Sequence, residues 1–350
     1  MNTKIYKQVL VLTDDLLAAA QADDQTTFDR YYLELTQLCE SNENTDKDHP
    51  VQWETLGDFT DDLTLAVSIY QKALTTAEKS QEKKLIAKCS FYIGLVHMDQ
   101  NNGSKALLYF QKALAIAENS NDKKSMAKYA KYIGNVHAYQ SDYQKALAYY
   151  RRALEINEEI DSQSEVASNL AKIGSVYYYQ SSYKKTLTYW ELALKINEEL
   201  GDQRGIAAHL GNIGLVYNDQ QNYPKAIAYY QRALKINKEI DNKSFMAANL
   251  SNMGLAIYYQ NNYPKALTYF QRALKLNEEL NNKSYIAANL LNLGLVYSKL
   301  NNNKKALAHY KKALAIEEEL GSKSRIGKNL TNEHQCVVAE SAGRFQYTLE

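Results

Sequence analysis

The sequence predicts an all-α protein, a right-handed α-α superhelix built as a solenoid of about seven helix pairs, and three observations carry that prediction. Glycine recurs at positions 94, 134, 174, 214, 254 and 294, a step of forty residues held without insertion. Alanine columns keep the same step: Ala106, Ala146, Ala226, Ala266 and Ala306 follow their glycines by twelve residues, with Thr186 the one departure, and Ala113, Ala153, Ala193, Ala233, Ala273 and Ala313 follow by nineteen. Segments 223–262 and 263–302 are identical at 24 of 40 positions. A fixed period of this length means one supersecondary unit copied in tandem, each copy burying its apolar face on its neighbours. With three prolines in the chain and no useful stretch of period-two alternation, the unit is helical.

The elements follow in order. Residues 1–50 read as an N-terminal helical segment, with helices over 5–22 and 26–41 that lack the repeat pattern. Residues 51–323 form the array. Its first repeat, 51–83, is atypical: Trp53, Leu56 and Gly57 open it, but Ala66 arrives three residues early. Six regular repeats fill 84–323. Each is two helices, as in 241–280. There Asp241 is read as the N-cap of a helix over 243–260, Asn261-Asn262 as the break, and Tyr263-Pro264 as the start of the second helix. Proline is tolerated in a first turn because its missing N–H has no intrahelical partner. The second helix carries Ala266, Leu267, Phe270, Ala273 and Leu274 on one apolar stripe. Residues 324–350 read as a capping helix and tail, with a further first helix beginning over 324–332.

The run Leu210-Gly211-Asn212-Ile213-Gly214-Leu215-Val216-Tyr217, followed by Ala226, Tyr230 and Ala233, resembles the tetratricopeptide repeat. The forty-residue period, the "Asn-Leu-Gly" core and the "Gly-Asp" junction are similar to the repeats of Pins/LGN-type polarity adaptors and kinesin light chains. The resemblance spans roughly residues 51–332. It implies a non-catalytic protein–protein interaction scaffold whose first helices line a concave groove for an extended peptide or partner helix. It also leaves open an intracellular receptor for a signalling peptide, or the regulatory part of a larger signalling protein.

Composition narrows the classes. Net charge is +1, but residues 1–80 carry 6 Lys and Arg against 15 Asp and Glu, and the remainder 35 against 25. So dilute a basic excess, without an Arg-rich or Gly-aromatic motif, argues against nucleic acid as partner. Three cysteines without a CxxC pair fit a reducing compartment. With no signal peptide and no run long enough for a membrane span, the reading is a cytoplasmic protein with no membrane partner. No HExxH, GxSxG or phosphate-loop motif occurs. An enzyme is therefore not expected, nor a cofactor or metal; His97 and His137 in the tyrosine column read as packing residues.

A helical wheel separates two faces of each first helix. Leu210, Ile213, Gly214 and Tyr217 form the packing face; Ala208, Gly211, Asn212, Leu215, Asn218 and Asp219 lie opposite, where a ligand would bind. On that second face the early repeats place Lys88, Lys128, Lys131, Tyr132, Asn135, Lys172 and Tyr179, and the later ones Asn212, Asn252, Asn292 and Tyr259. A side-chain amide offers donor and acceptor together, matching a peptide backbone. By resemblance, Asn212, Asn252 and Asn292 would be peptide clamps. The basic–aromatic set predicts an acidic partner at the N-terminal half of the groove. Lys131 and Asn135 match two columns of the carboxylate clamp of chaperone adaptors, but Lys172 and Ala208 break its pattern. The lysines that open the second helices, from Lys105 to Lys305, read as a solvated stripe.

Overall fold

The computed structural model describes residues 3–321, helices joined by short links, and divides into two compact units, residues 1–176 and 177–350. The first unit opens with α1 (Thr3–Gln21), α2 (Gln25–Asn42), the short α3 (Pro50–Asp58) and α4 (Leu63–Lys79). It continues with α5 (Lys83–Asp99), α6 (Gly103–Asn119), α7 (Lys123–Tyr139), α8 (Tyr143–Glu159) and most of α9 (Gln163–Tyr179). The second unit holds the end of α9, then α10 (Tyr183–Leu200), α11 (Gln203–Asp219), α12 (Tyr223–Glu239), α13 (Lys243–Tyr259), α14 (Tyr263–Glu279), α15 (Lys283–Lys299) and α16 (Asn303–Glu319). The further first helix and tail expected over 324–350 lie outside the described residues.

One contact explains the glycine column. In the pairs of Gly94, Gly134, Gly214, Gly254 and Gly294 the second helix sets an aromatic ring against the first-helix glycine. A methyl group added at Gly134 would sit 2.7 Å from the Tyr150 ring, and one at Gly254 2.7 Å from Phe270. No carbon tolerates that approach, so only glycine lets the two backbones close over a ring. The rings are sealed: Phe110, Tyr150, Tyr230 and Phe270 are all at most 2 % exposed. The small alanines beside them, Ala113, Ala153, Ala233 and Ala273, are wholly buried. In the first repeat the partner of Gly57 is Tyr70, thirteen residues on rather than sixteen; the link after α3 is not shortened, since 59–62 is four residues, but α3 ends one residue past its glycine where α5 runs five past Gly94.

Three-residue turns join most helices from α4 onward, with a two-residue link at 201–202. Between α5 and α6, Asn101 is left-handed (φ 57°), its N–H donating to Met98 O, while Asn102 N–H donates 2.8 Å to His97 O. This paired arrangement satisfies the last carbonyls of α5. Asn102 then caps α6, its side chain accepting from Lys105 N–H. The same left-handed residue recurs from turn to turn along the regular repeats. It corrects one sequence reading: Asp241 is the left-handed residue (φ 49°), and the N-cap of α13 is Asn242, which accepts from Phe245 N–H.

The N-terminal helices share a core with the first pairs. Leu16 of α1 and Leu35 and Cys39 of α2 pack into one cluster with Trp53, Leu56, Tyr70, Cys89 and Ile93. Residues 1–50 are thus continuous in packing with the helices that follow. On the outer side, His97 stacks on Tyr109, His137 on Tyr149, Tyr217 on Tyr229, and Tyr297 on His309. The lysine stripe is not merely solvated, because Lys185, Lys225 and Lys305 sit over the rings of Tyr177, Tyr217 and Tyr297 at 5.0–5.3 Å.

Candidate functional site

The first helices present the two faces that the wheel separates. Leu210 and Ile213 are fully buried, as are Leu250, Met253 and Leu293 to within 1 %, whereas Ala208, Gly211, Asn212 and Leu215 are half-buried and Asp219 is exposed. The half-buried set is the open face.

In the second unit, Asn212, Asn252 and Asn292 stand on the open faces of α11, α13 and α15, all half-buried. Among the described residues none of the three side chains makes a hydrogen bond within the protein. Three residues earlier on the same helices a second asparagine column behaves oppositely. Asn249 and Asn289 are buried; their amides donate 2.9 Å to Phe245 O and Tyr285 O, and Asn289 Oδ1 also accepts from Ser251 Oγ at 2.7 Å. In the first unit Asn169 repeats the inner bond, to Glu165 O. Sequence reasoning misses this buried column, because residue type does not distinguish it from the open one. In α11 its place is taken by His209, buried, with burial holding its pKa below the usual imidazole value. Tyr259 is 53 % exposed, stacked on Tyr223 (5.7 Å) and edge-on to Tyr258. Tyr179 is 68 % exposed, edge-on to Tyr178, whose hydroxyl donates to Asp219 at 2.6 Å.

The first unit differs. Lys131 pairs with Glu165 (2.6 Å), and Asn135 accepts from the Tyr150 hydroxyl (2.9 Å), so both are engaged within the protein. Tyr132 is half-buried, its ring against Phe91 and Phe110. Lys88 pairs with the buried Glu54, whose pKa burial raises. Lys128 and Lys172 have no carboxylate in ion-pair reach among the described residues. Lys128 lies 4.1 Å above the Phe91 ring; dehydration and then Lys88 and Lys131 hold its pKa below the usual lysine range. Lys172 is depressed the same way, by dehydration and then by Lys131. Among the described residues of this face, Lys88 and Lys131 are ion-paired within the protein, and Lys128 and Lys172 are not.

The tetratricopeptide repeat profile matches residues 89–159, 165–239 and 245–319, more than half of the chain. The chain belongs to the tetratricopeptide repeat family. A search of curated protein sequences finds no relative. Solved structures that are similar include the apo form of RapI, at 18 % identity and TM-score 0.62, covering 78 % of this chain and 98 % of that one. Aspartyl phosphate phosphatase F from Bacillus subtilis aligns at 14 % identity and TM-score 0.60, over 96 % and 94 % of the two chains. A Rap protein complexed with competence and sporulation factor aligns at 15 % identity and TM-score 0.55, over 96 % and 99 %. At these identities the likeness shows the fold alone, an all-α helical-repeat architecture. No helix among the described residues is long and apolar enough to cross a membrane.

Proposed function

We propose that this protein is a non-catalytic interaction scaffold that holds an extended peptide, or a partner's helix, along the open faces of its first helices. One observation carries the reading: Asn212, Asn252 and Asn292 repeat on successive first helices, half-buried and with their amides unclaimed inside the protein. An amide that makes no hydrogen bond inside the protein is free to pair with a peptide C=O and N–H. A periodic row of them on stiff helices is preorganised, so the ligand alone loses conformational freedom. Tyr179 and Tyr259 supply exposed rings beside the row. In the first unit, Lys128 and Lys172 favour an acidic segment, with Tyr132 as apolar floor. Lys131 and Asn135 reach that segment only by leaving Glu165 and Tyr150. Since one structural relative was solved with competence and sporulation factor, reception of a signalling peptide inside the cell is the form of this activity we place second.

The test is capture of partners from the native host by the wild-type protein and by Asn212→Ala, Asn252→Ala, Asn292→Ala combined. The triple variant should lose the partners and keep its helical circular dichroism. Unaltered capture would remove the amide row from the site.

A further inference from the structure

A second, unrelated feature lies at the junction of α5, α6 and α7. The first position of the regular second helices is tyrosine at 143, 183, 223 and 263, asparagine at 303 and glycine at 103, the one position with no side chain. Where the ring is present in the second unit, its neighbours are known. The residue five positions earlier touches it: Tyr178 lies 6.2 Å from Tyr183, and Tyr258 lies 5.4 Å from Tyr263. The residue thirty-six positions later stacks on it, as Tyr259 does on Tyr223 at 5.7 Å and 17°. The residue two positions earlier accepts its hydroxyl, as Asn261 does from Tyr263 at 2.8 Å.

At position 103 the ring is missing and its three neighbours remain. The counterparts are Met98, Tyr139 and Asn101, and all three line one cavity of about 460 Å³, together with Asp99, Gly103, Val136 and Gln140. Tyr139 is 81 % exposed, against 53 % for Tyr259, which has its stacking partner. We infer that this notch is a docking site for a tyrosine side chain of a partner polypeptide, the ring entering between Met98 and Tyr139 with its hydroxyl donated to Asn101. Each of the three contacts is made by a tyrosine at one intact junction or another, the −5 contact at Tyr183 and Tyr263, the stack at Tyr223 and the hydroxyl bond at Tyr263. Only at Gly103 do a stacking ring and an asparagine acceptor stand together around an absent ring, which favours a phenol over an aliphatic group as the occupant. Thioether–ring and ring–ring contacts supply the attraction, and the amide oxygen gives the orientation. The flexible end of Gln140, now over Gly103, swings aside: a carbon at that position meets Gln140 Nε2 at 2.7 Å. Nothing in this notch depends on the asparagine row.

The probe is N-acetyl-tyrosinamide, titrated into the full chain with its methionine methyl groups labelled and followed by NMR. The Met98 methyl resonance should shift saturably. N-acetyl-phenylalaninamide, lacking the hydroxyl, should bind about fivefold more weakly, and N-acetyl-leucinamide should give no saturable shift. Gly103→Tyr fills the notch from within and should abolish the shift. Tyr139→Ala, at an exposed position that no packing depends on, should abolish it too, and it decides the matter if Gly103→Tyr fails to fold. No saturable shift in the wild type, an equal response to the leucine amide, or a response that survives Tyr139→Ala would overturn the assignment.

Discussion

The two units are built on one packing scheme and differ on the face that scheme leaves over. Gly134 against Tyr150 in the first unit and Gly254 against Phe270 in the second are the same contact, with the same 2.7 Å margin. The open faces share almost nothing. One carries Lys128, Lys131 and Lys172, with Lys128 over Phe91; the other carries Ala208, Ala248 and Ala288 with Asn212, Asn252 and Asn292. Residues that hold the hairpins shut are fixed by sterics and recur. Those facing outward are released from that demand and vary, so chemistry specific to a partner can accumulate there.

If the packing scheme is common, breaking it must hurt both units alike. Gly134→Leu and Gly254→Leu should each destabilise by about 3 kcal/mol, read by urea denaturation, because a buried ring must move off the glycine. A large effect in only one unit would break the comparison. If the open faces differ in chemistry, charge must matter in one alone. Lys128→Gln with Lys172→Gln should weaken binding of an acidic peptide about tenfold at low salt and remove its salt dependence. It should also raise stability slightly, by under about 0.5 kcal/mol, since the replacements relieve crowded like charges at a partly solvated surface. Affinity and stability moving in opposite directions is the signature of residues retained for a ligand.

His209 sharpens the contrast inside the second unit. Its pKa is depressed by burial, so the folded state resists a proton that the unfolded chain accepts near pH 6.5. Stability contributed by this group is fully present above that value and lost as pH falls below it. His209→Asn, which installs the residue found at 169, 249 and 289, should flatten the dependence of thermal midpoint on pH between about 7 and 5. The smallest effect concerns the turns. Gln221 is left-handed (φ 59°) where Gly201 fills the equivalent role at another turn, so Gln221→Gly should stabilise by about 0.5–1 kcal/mol in urea titrations.

Much of this is legible in the sequence, because steric demands repeat. The glycine and alanine columns, the helix pairs and the two faces of each first helix follow from one period. Asp241 is misread as a cap because adjacent Asp and Asn suit both a left-handed residue and an N-cap, and only the hydrogen bond to Asn242 decides. The pairing of Lys131 with Glu165 and of Asn135 with Tyr150 depends on how neighbouring helices rotate against each other, which no local pattern records. Asn249 and Asn252 are three residues apart and chemically identical, yet one is sealed and the other open. The notch at Gly103 does leave a mark, a glycine in a column that reads tyrosine at 143, 183, 223 and 263 and asparagine at 303, whose meaning needs the structure of the intact junctions.

The contrast between sealed and open asparagines can be measured directly. Equilibrium denaturation should compare Asn212→Ala, Asn252→Ala, Asn292→Ala combined with Asn249→Ala, Asn289→Ala combined. The open triple should change stability by under about 0.5 kcal/mol, since its amides bond to nothing inside the protein, while the buried pair should lose about 2–4 kcal/mol. Should the open triple prove as destabilising as the buried pair, those amides belong to the core and the face they line is not available to a partner.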